Sequence, residues 1–438
     1  MRNQKPEVYA LHQEGKDWRI TRRDFLKAAG IGAAVLGSGS GCLRTAAASG
    51  DESFFDACNS VPAHKDNIKN ILTTPDDKYM VTCSEETIKC WDLEDEYKFL
   101  GRVKVNHLSS IEKTMIGRIS GESCLIGKGK YQEDVLYCEL PILSSSVFRN
   151  LPFADDYQAF AVDSSGNFYG ASKHRLFYYS ADKEYKEEEL LYVFETETRV
   201  ESFCLICQDS KVFIQFKNGN SYGILDLTDR TLKMFSGKCS LYSVSSDGAR
   251  ALIYDDKKNT AGIIELNEGT DVGTIDFGQR GSTVNGIALS KDGEKGFLVE
   301  RRNNAAGVLL MVSMTDGTVL GSLDLCTIGS ERSPLSVTAD GKRIIAGVDS
   351  SVFVINVPDL RIAALPTDLD EVIPDTEGCV VQMTDPDSGV VYTQILARGA
   401  DIPKGAVCVC NTVTGRAHHC DMYCTCDTNS RPHYWHPN

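Results

Sequence analysis

The sequence predicts an all-β body: a closed ring of repeated four-stranded sheets. Two independent series of positions carry that prediction. Turn signals recur at Asp77, Gly121, Gly166, Ser210, Gly248, Gly293, Gly341 and Gly389, between 38 and 48 residues apart. A second series marks the end of a β-rich run in each unit: Trp91-Asp92, Cys138-Glu139, Tyr179-Ser180, Leu225-Asp226, Ile264-Glu265, Val312-Ser313, Ile355-Asn356 and Cys410-Asn411. Pairs such as Asp247-Gly248, Asp292-Gly293 and Asp340-Gly341 accept the backbone angles of tight hairpins. A period of 40–45 residues is that of a four-stranded blade, so the expected fold is a closed β-propeller. Eight in-phase units favour eight blades, with seven as the alternative. One such sheet cannot bury both of its faces alone, whereas sheets packed around an axis can. Runs such as Ser351–Ile355 are apolar on both faces, as that packing requires.

Ahead of the ring stands a segment of different character. Residues 1–48 carry eight basic and four acidic side chains, which leaves 49–438 at −19 within a total of −15. Thr21-Arg22-Arg23-Asp24-Phe25-Leu26-Lys27 resembles the twin-arginine (Tat) export motif, with Arg22, Arg23, Phe25 and Leu26 as its targeting residues. The apolar run Ala28–Leu36 is too short to cross a bilayer but suits a signal peptide. Two processing sites compete. Cleavage after Ala48 obeys the small-residue rule, whereas Ser40-Gly41-Cys42 resembles the end of a lipobox, with Cys42 lipidated. The Tat resemblance implies a protein that folds before export to the periplasm or the outer face of the cytoplasmic membrane. A lipid on Cys42 is then its only membrane contact.

The first unit is the best preserved. His64, the Pro75-Asp76 turn and Trp91-Asp92 closing a third strand resemble a WD40 repeat. The resemblance implies that His64, Trp91 and Asp92 are structural. Glu85 stands where the family has a buried Asp, which puts the family's side-chain hydrogen-bond network in doubt. His107 occupies the same blade-start position as His64 in the next unit. In WD40-like rings a segment ahead of the first repeat completes the last blade, and Glu52–Ser60 stands in that place.

Catalytic signatures are missing. Only His64, His107 and His174 fall within the ring, too few for a copper-cluster propeller, and there is no Gly-x-Ser-x-Gly, His-Glu-x-x-His or P-loop. Body charge this negative repels phosphate backbones, so nucleic acid is excluded as a partner. Cys204-Leu205-Ile206-Cys207 has redox or metal spacing, but on a strand residues three apart point to opposite faces, so both read as ordinary buried thiols. Cys83, Cys90, Cys124, Cys138, Cys239, Cys326 and Cys379 read as small apolar strand residues.

The tail differs. Cys408, Cys410, His418, His419, Cys420, Cys424 and Cys426 crowd into the C-terminal stretch. Thiolates and imidazoles at this density fit a zinc, copper or iron–sulfur site, and equally disulfides formed after export. The expected organisation is a signal peptide over 1–48, the propeller over 49–416 and a Cys/His-rich tail over 417–438. The expected function is a protein-binding scaffold in the cell envelope, with partners on the propeller rim; whether the chain is an enzyme stays open, an enzyme with its pocket on the channel mouth being a third reading. The alternative is a redox or metal protein centred on the tail.

Overall fold

The computed structural model describes residues 62–396, with breaks at 105–110, 130–134, 144–145, 152–156, 196–198, 218–220, 279–280, 330, 369–378 and 386–388, and four strand segments outside that range. The chain divides into two units, 1–52 and 53–438. In the first, Leu11–Glu14 and Asp17–Ile20 pair as an antiparallel hairpin.

In the second unit seven four-stranded antiparallel sheets follow in order, at 70–104, 111–150, 159–193, 200–236, 241–276, 282–327 and 335–364. We call them blades I to VII. Within each blade the strands pair in chain order, first to fourth. The seven third strands end at or within one residue of the first seven positions of the Trp-Asp series, from Asp92 to Asn356. First strands lie side by side from blade I through blade IV and from blade V through blade VII, and Leu335–Val337 of blade VII lies beside Asn70–Thr73 of blade I. That contact closes the ring at seven, the smaller of the two counts expected.

The eighth unit does form a sheet, but outside the ring. Its strands Cys379–Thr384, Val391–Leu396, Val407–Cys408 and His433–Tyr434 pair in the order second, first, third, fourth. Such a sheet cannot stand in line with blades whose strands pair first to fourth. Met383 and Tyr392 anchor it by joining the apolar cluster of blades VI and VII.

Alternation within one strand explains how the ring holds together. In Ser351–Asn356, Val352 and Val354 enter the cluster shared with blade I, while Phe353 and Ile355 enter the one shared with blade VI. All four are essentially inaccessible to solvent. Each such side chain contributes about 1.5–3 kcal/mol by leaving water.

The first-to-second strand turns share one design. In blades V, VI and VII, Ser245, Ser290 and Thr338 donate to Asp247, Asp292 and Asp340 at 2.6, 2.5 and 2.7 Å. Each hydroxyl also accepts the amide five residues on. The glycine after each Asp has φ between +67 and +69, the left-handed region that favours glycine. Blade I puts Asp77 at that position, with φ +56. Its carboxylate reaches out of the turn and accepts the amides of Ala339 and Asp340 in blade VII at 2.6 and 2.8 Å. Aspartate is among the few non-glycine residues that tolerate this conformation, so one side chain both makes the turn and fastens the ring.

Closure is reinforced along the rest of the junction. The His64 and Ile68 amides donate to the Ser350 and Asp349 carbonyls at 3.0 and 2.6 Å. On the outer side, buried Asp368 accepts Lys89 at 3.0 Å and Arg102 at 2.7 Å, and Lys89 also donates to the Ala63 carbonyl at 2.6 Å. Thr367 donates to the Pro62 carbonyl at 3.1 Å. The segment after blade VII thus straps the residues before blade I. Blade VII has four consecutive strands of its own, and the Glu52–Ser60 segment expected to complete the last blade lies outside the described residues.

Candidate binding site at the channel mouth

The first strands enclose a channel, and at the end where they begin it opens into a cavity of about 800 Å³. Its wall comes mainly from blades II, III and IV, with residues 238–240 and 256 of blade V and Arg332 from the loop before blade VII. Backbone carbonyls at the strand starts face this mouth, and side chains from neighbouring blades meet them. Lys113 of blade II donates to the carbonyls of Gln158 and, at 2.6 Å, Glu201, reaching blades III and IV. Gln215 donates to the Cys239 carbonyl. Ser202 fixes that amide by donating to its Oε1 at 2.6 Å, and lies 3.0 Å from the half-buried Tyr242 hydroxyl across the IV–V junction. Arg332 approaches the Ser240 carbonyl at 3.5 Å.

Charges of both signs line the cavity. Lys113, Lys217, Lys238 and Arg332 line it against Glu201 and Asp256, and Asp256 is taken by an ion pair with Lys238. Asp209, in the first-to-second strand turn of blade IV, also borders the cavity and accepts the Ser164 amide at 2.9 Å. At the opposite end the turns are aspartate-rich, as described for blades I and V to VII. Apolar patches of Phe160, Phe203 and Phe216 complete the wall. Such a site presents polar groups of both charges on a collar held by hydrogen bonds within and between blades. The sequence series locate the strands but say nothing of which loops converge at one end, so these residues were not legible beforehand. Lys238 and Arg332, in loops that precede first strands, were the signal the sequence held.

His64 and Trp91 meet at Thr82. Trp91, buried, donates its indole N–H to Thr82 Oγ1 at 2.9 Å. Thr82 Oγ1 also lies 2.7 Å from His64 Nε2, and Thr87 Oγ1 lies 3.0 Å from His64 Nδ1, so the two threonines hold the ring between them. Thr87 lies 3.1 Å from Ser84 Oγ. Burial, reinforced by the Lys89 ammonium, holds the His64 imidazole well below its ordinary pKa, so the ring is neutral and carries this relay. Glu85 points to solvent and pairs with Lys69 at 3.1 Å. The network thus survives with Thr87 in the acid's place. Asp92 accepts the Glu94 and Asp95 amides at 2.9 and 3.0 Å and caps the next turn. His107 lies outside the described residues.

Cysteine readings need two corrections. The strand holding Cys204 ends at Ile206, and Cys207 turns to φ +54, so both thiols pack against the apolar cluster of blades IV and V instead of opposite faces. Both are free thiols. Cys326, expected as a plain apolar strand residue, is disulfide-bonded. Cys83, Cys90, Cys124, Cys138 and Cys239 are buried and free as expected, and burial raises the Cys83 and Cys239 thiols to about 12.

Of the tail set, Cys408 lies in a strand in register with Val381 on one side and His433 on the other. Arg22, Arg23, Phe25, Leu26, Cys42, Cys410, His418, His419, Cys420, Cys424 and Cys426 lie outside the described residues. Among the described residues no three His, Cys, Asp or Glu side chains come together to hold a metal ion, and no helix is long and apolar enough to cross a membrane.

No family model and no curated protein matches the sequence. Solved structures do match the fold. U3-55K aligns with a TM-score of 0.52 at 13% identity, covering 66% of this chain and 90% of that one. The RRP9 WD40 repeats align with a TM-score of 0.52 at 13% identity, covering 66% and 89%. The Cps50 (Swd1) β-propeller domain of Myceliophteria thermophila aligns with a TM-score of 0.50 at 12% identity, covering 66% and 95%. At these identities the likeness establishes the WD40-like propeller fold.

Proposed function

We propose that this chain is an exported WD40-like scaffold that holds a protein partner at the open mouth of its channel. The observation that carries the reading is the mouth itself: a cavity of about 800 Å³ whose polar wall is held rigid by hydrogen bonds between blades. A ring with seven packed junctions presents loops in fixed positions, which lowers the entropy lost when a partner binds. Export rests on the Tat-like motif around Arg22 and Arg23, and the disulfide at Cys326 fits an oxidising destination.

Two measurements test the proposal. Arg22→Lys with Arg23→Lys should leave the folded body in the cytoplasm; arrival in the envelope overturns Tat export. For the scaffold role, the exported protein is purified from the envelope beside a Ser240→Trp variant, which fills the mouth. A protein that co-purifies with the parent and not with the variant supports the reading, and a partner set unchanged by Ser240→Trp overturns it.

A further inference from the structure

Cys326 stands in the outermost strand of blade VI, Val319–Thr327, and is disulfide-bonded. The seven cysteines from Cys83 to Cys239 are free thiols, so none of them is its partner. The other sulfur therefore belongs to Cys42, Cys58, Cys379 or one of the five cysteines from Cys408 to Cys426. Packing narrows the choice. Cys326 lies against the apolar cluster of blades VI and VII, and its sequence neighbours Leu325 and Ile328 are members of that cluster. Met383 and Tyr392 of the eighth sheet enter the same cluster. Successive residues of a strand alternate between its two sides. In Cys379–Thr384, positions 379, 381 and 383 therefore share the side from which Met383 meets the ring. That strand also pairs directly with Val391–Leu396, which lies beside Arg361–Ala364 of blade VII. Cys408 is one strand farther out.

We infer that Cys326 is bonded to Cys379, and that this bond fastens the eighth sheet to the ring. The sheet shares no hydrogen-bonded ladder with any blade, so side-chain packing and this bond are what hold it there. The bond encloses blade VII, residues 335–364, in one covalent loop, which restricts the unfolded chain. As it forms, both S–H bonds break and one S–S bond is made. Two electrons and two protons pass to the disulfide of a thiol oxidoreductase, which leaves as a dithiol. Attachment of the eighth sheet thereby depends on the redox state around the protein, whatever binds at the channel mouth.

Peptide mapping tests the assignment on the full chain, alkylated without reductant and digested with trypsin. Residues 303–332 and 362–398 are then single-cysteine peptides, holding Cys326 and Cys379, and 405–416 holds Cys408 and Cys410. A linked pair of 303–332 with 362–398, separating on reduction, is the result expected. Cys326 linked to 405–416 or to Cys58, or already alkylated before reduction, overturns the assignment. Migration as a dimer on a non-reducing gel would place the bond between copies and overturn it as well. Hydrogen exchange read by mass spectrometry tests the fastening. In native protein treated with a phosphine reductant, and in Cys379→Ser, amides of 379–384 and 391–396 should exchange about tenfold faster, with blades II to IV unchanged. The reductant acts on the parent sequence, so the test survives a variant that fails to fold. Exchange that reduction leaves unaltered, or that rises equally in blades II to IV, overturns the fastening role.

Discussion

Replacing Asp368 with alanine removes the carboxylate at the centre of the outer strap. Lys89 is fully buried and Asp368 nearly so, at 0% and 2% side-chain exposure, and they meet at 3.0 Å. Arg102, the other partner of Asp368, is 27% exposed and can turn to water. Lys89 is enclosed, and loses this carboxylate while keeping the Ala63 carbonyl at 2.6 Å. Removing one member of a buried ion pair costs about 3–5 kcal/mol. For a body of this size that corresponds to a fall in Tm on the order of 5–10 °C. Urea denaturation of the purified body gives the energy, and limited proteolysis shows whether cleavage begins at the junction of blades I and VII. The double replacement Lys89→Met, Asp368→Leu should recover most of the loss, because neither charge is then buried. A D368A midpoint within about 0.5 kcal/mol of the parent, the scale of a solvated pair, would refute the clasp.

Asp77→Gly relieves a left-handed backbone yet should destabilise the protein by about 1–2 kcal/mol in urea, because the Ala339 and Asp340 amides lose their acceptor. Gly286→Ala should prevent stable folding by circular dichroism, since a Cβ there would stand 1.9 Å from the Ser333 carbonyl oxygen. His64 titrates below its unfolded value, so the folded state binds fewer protons in that window. Stability should therefore be complete above the unfolded pKa of about 6.5 and fall as pH drops below it, by up to about 1.4 kcal/mol per unit. His64→Gln should lower the plateau and flatten that slope in pH-dependent denaturation. The buried thiols Cys83, Cys90, Cys124 and Cys239, with raised pKa values, should resist iodoacetamide at pH 8 in the native protein and all react in urea, by mass spectrometry.

Local chemistry was legible where it writes local patterns. Asp247-Gly248, Asp292-Gly293 and Asp340-Gly341 mark the hairpins they form, and the third strands end where the Trp-Asp series places them. The same signals misled on number, because Gly389 reports a hairpin and not a place in the ring. Its sheet pairs in another order, and closure depends on faces that meet only in three dimensions, such as Ile68 and Ile71 against Val352 and Val354. Thr87 could not be recognised as the replacement for the family's acid, since a threonine in a strand is an ordinary β-former until His64 is brought beside it. Nor could Cys207 be assigned a face, because its turn departs from strand geometry one residue after Ile206. The mouth gathers residues from 113 to 332 in sequence, a convergence no spacing rule encodes.

The central claim, that the ring works through its open mouth, is tested most directly by photo-crosslinking in the exporting cell. A photoreactive amino acid is placed in turn at Lys217 and Ser240 on the mouth, and at Asp182 and Asp359 on turns at the far end of the blades. Crosslinks to a protein partner concentrated at Lys217 and Ser240, in envelope fractions, are the result expected. Crosslinks confined to Asp182 and Asp359 would place the binding face at the opposite end and contradict the account.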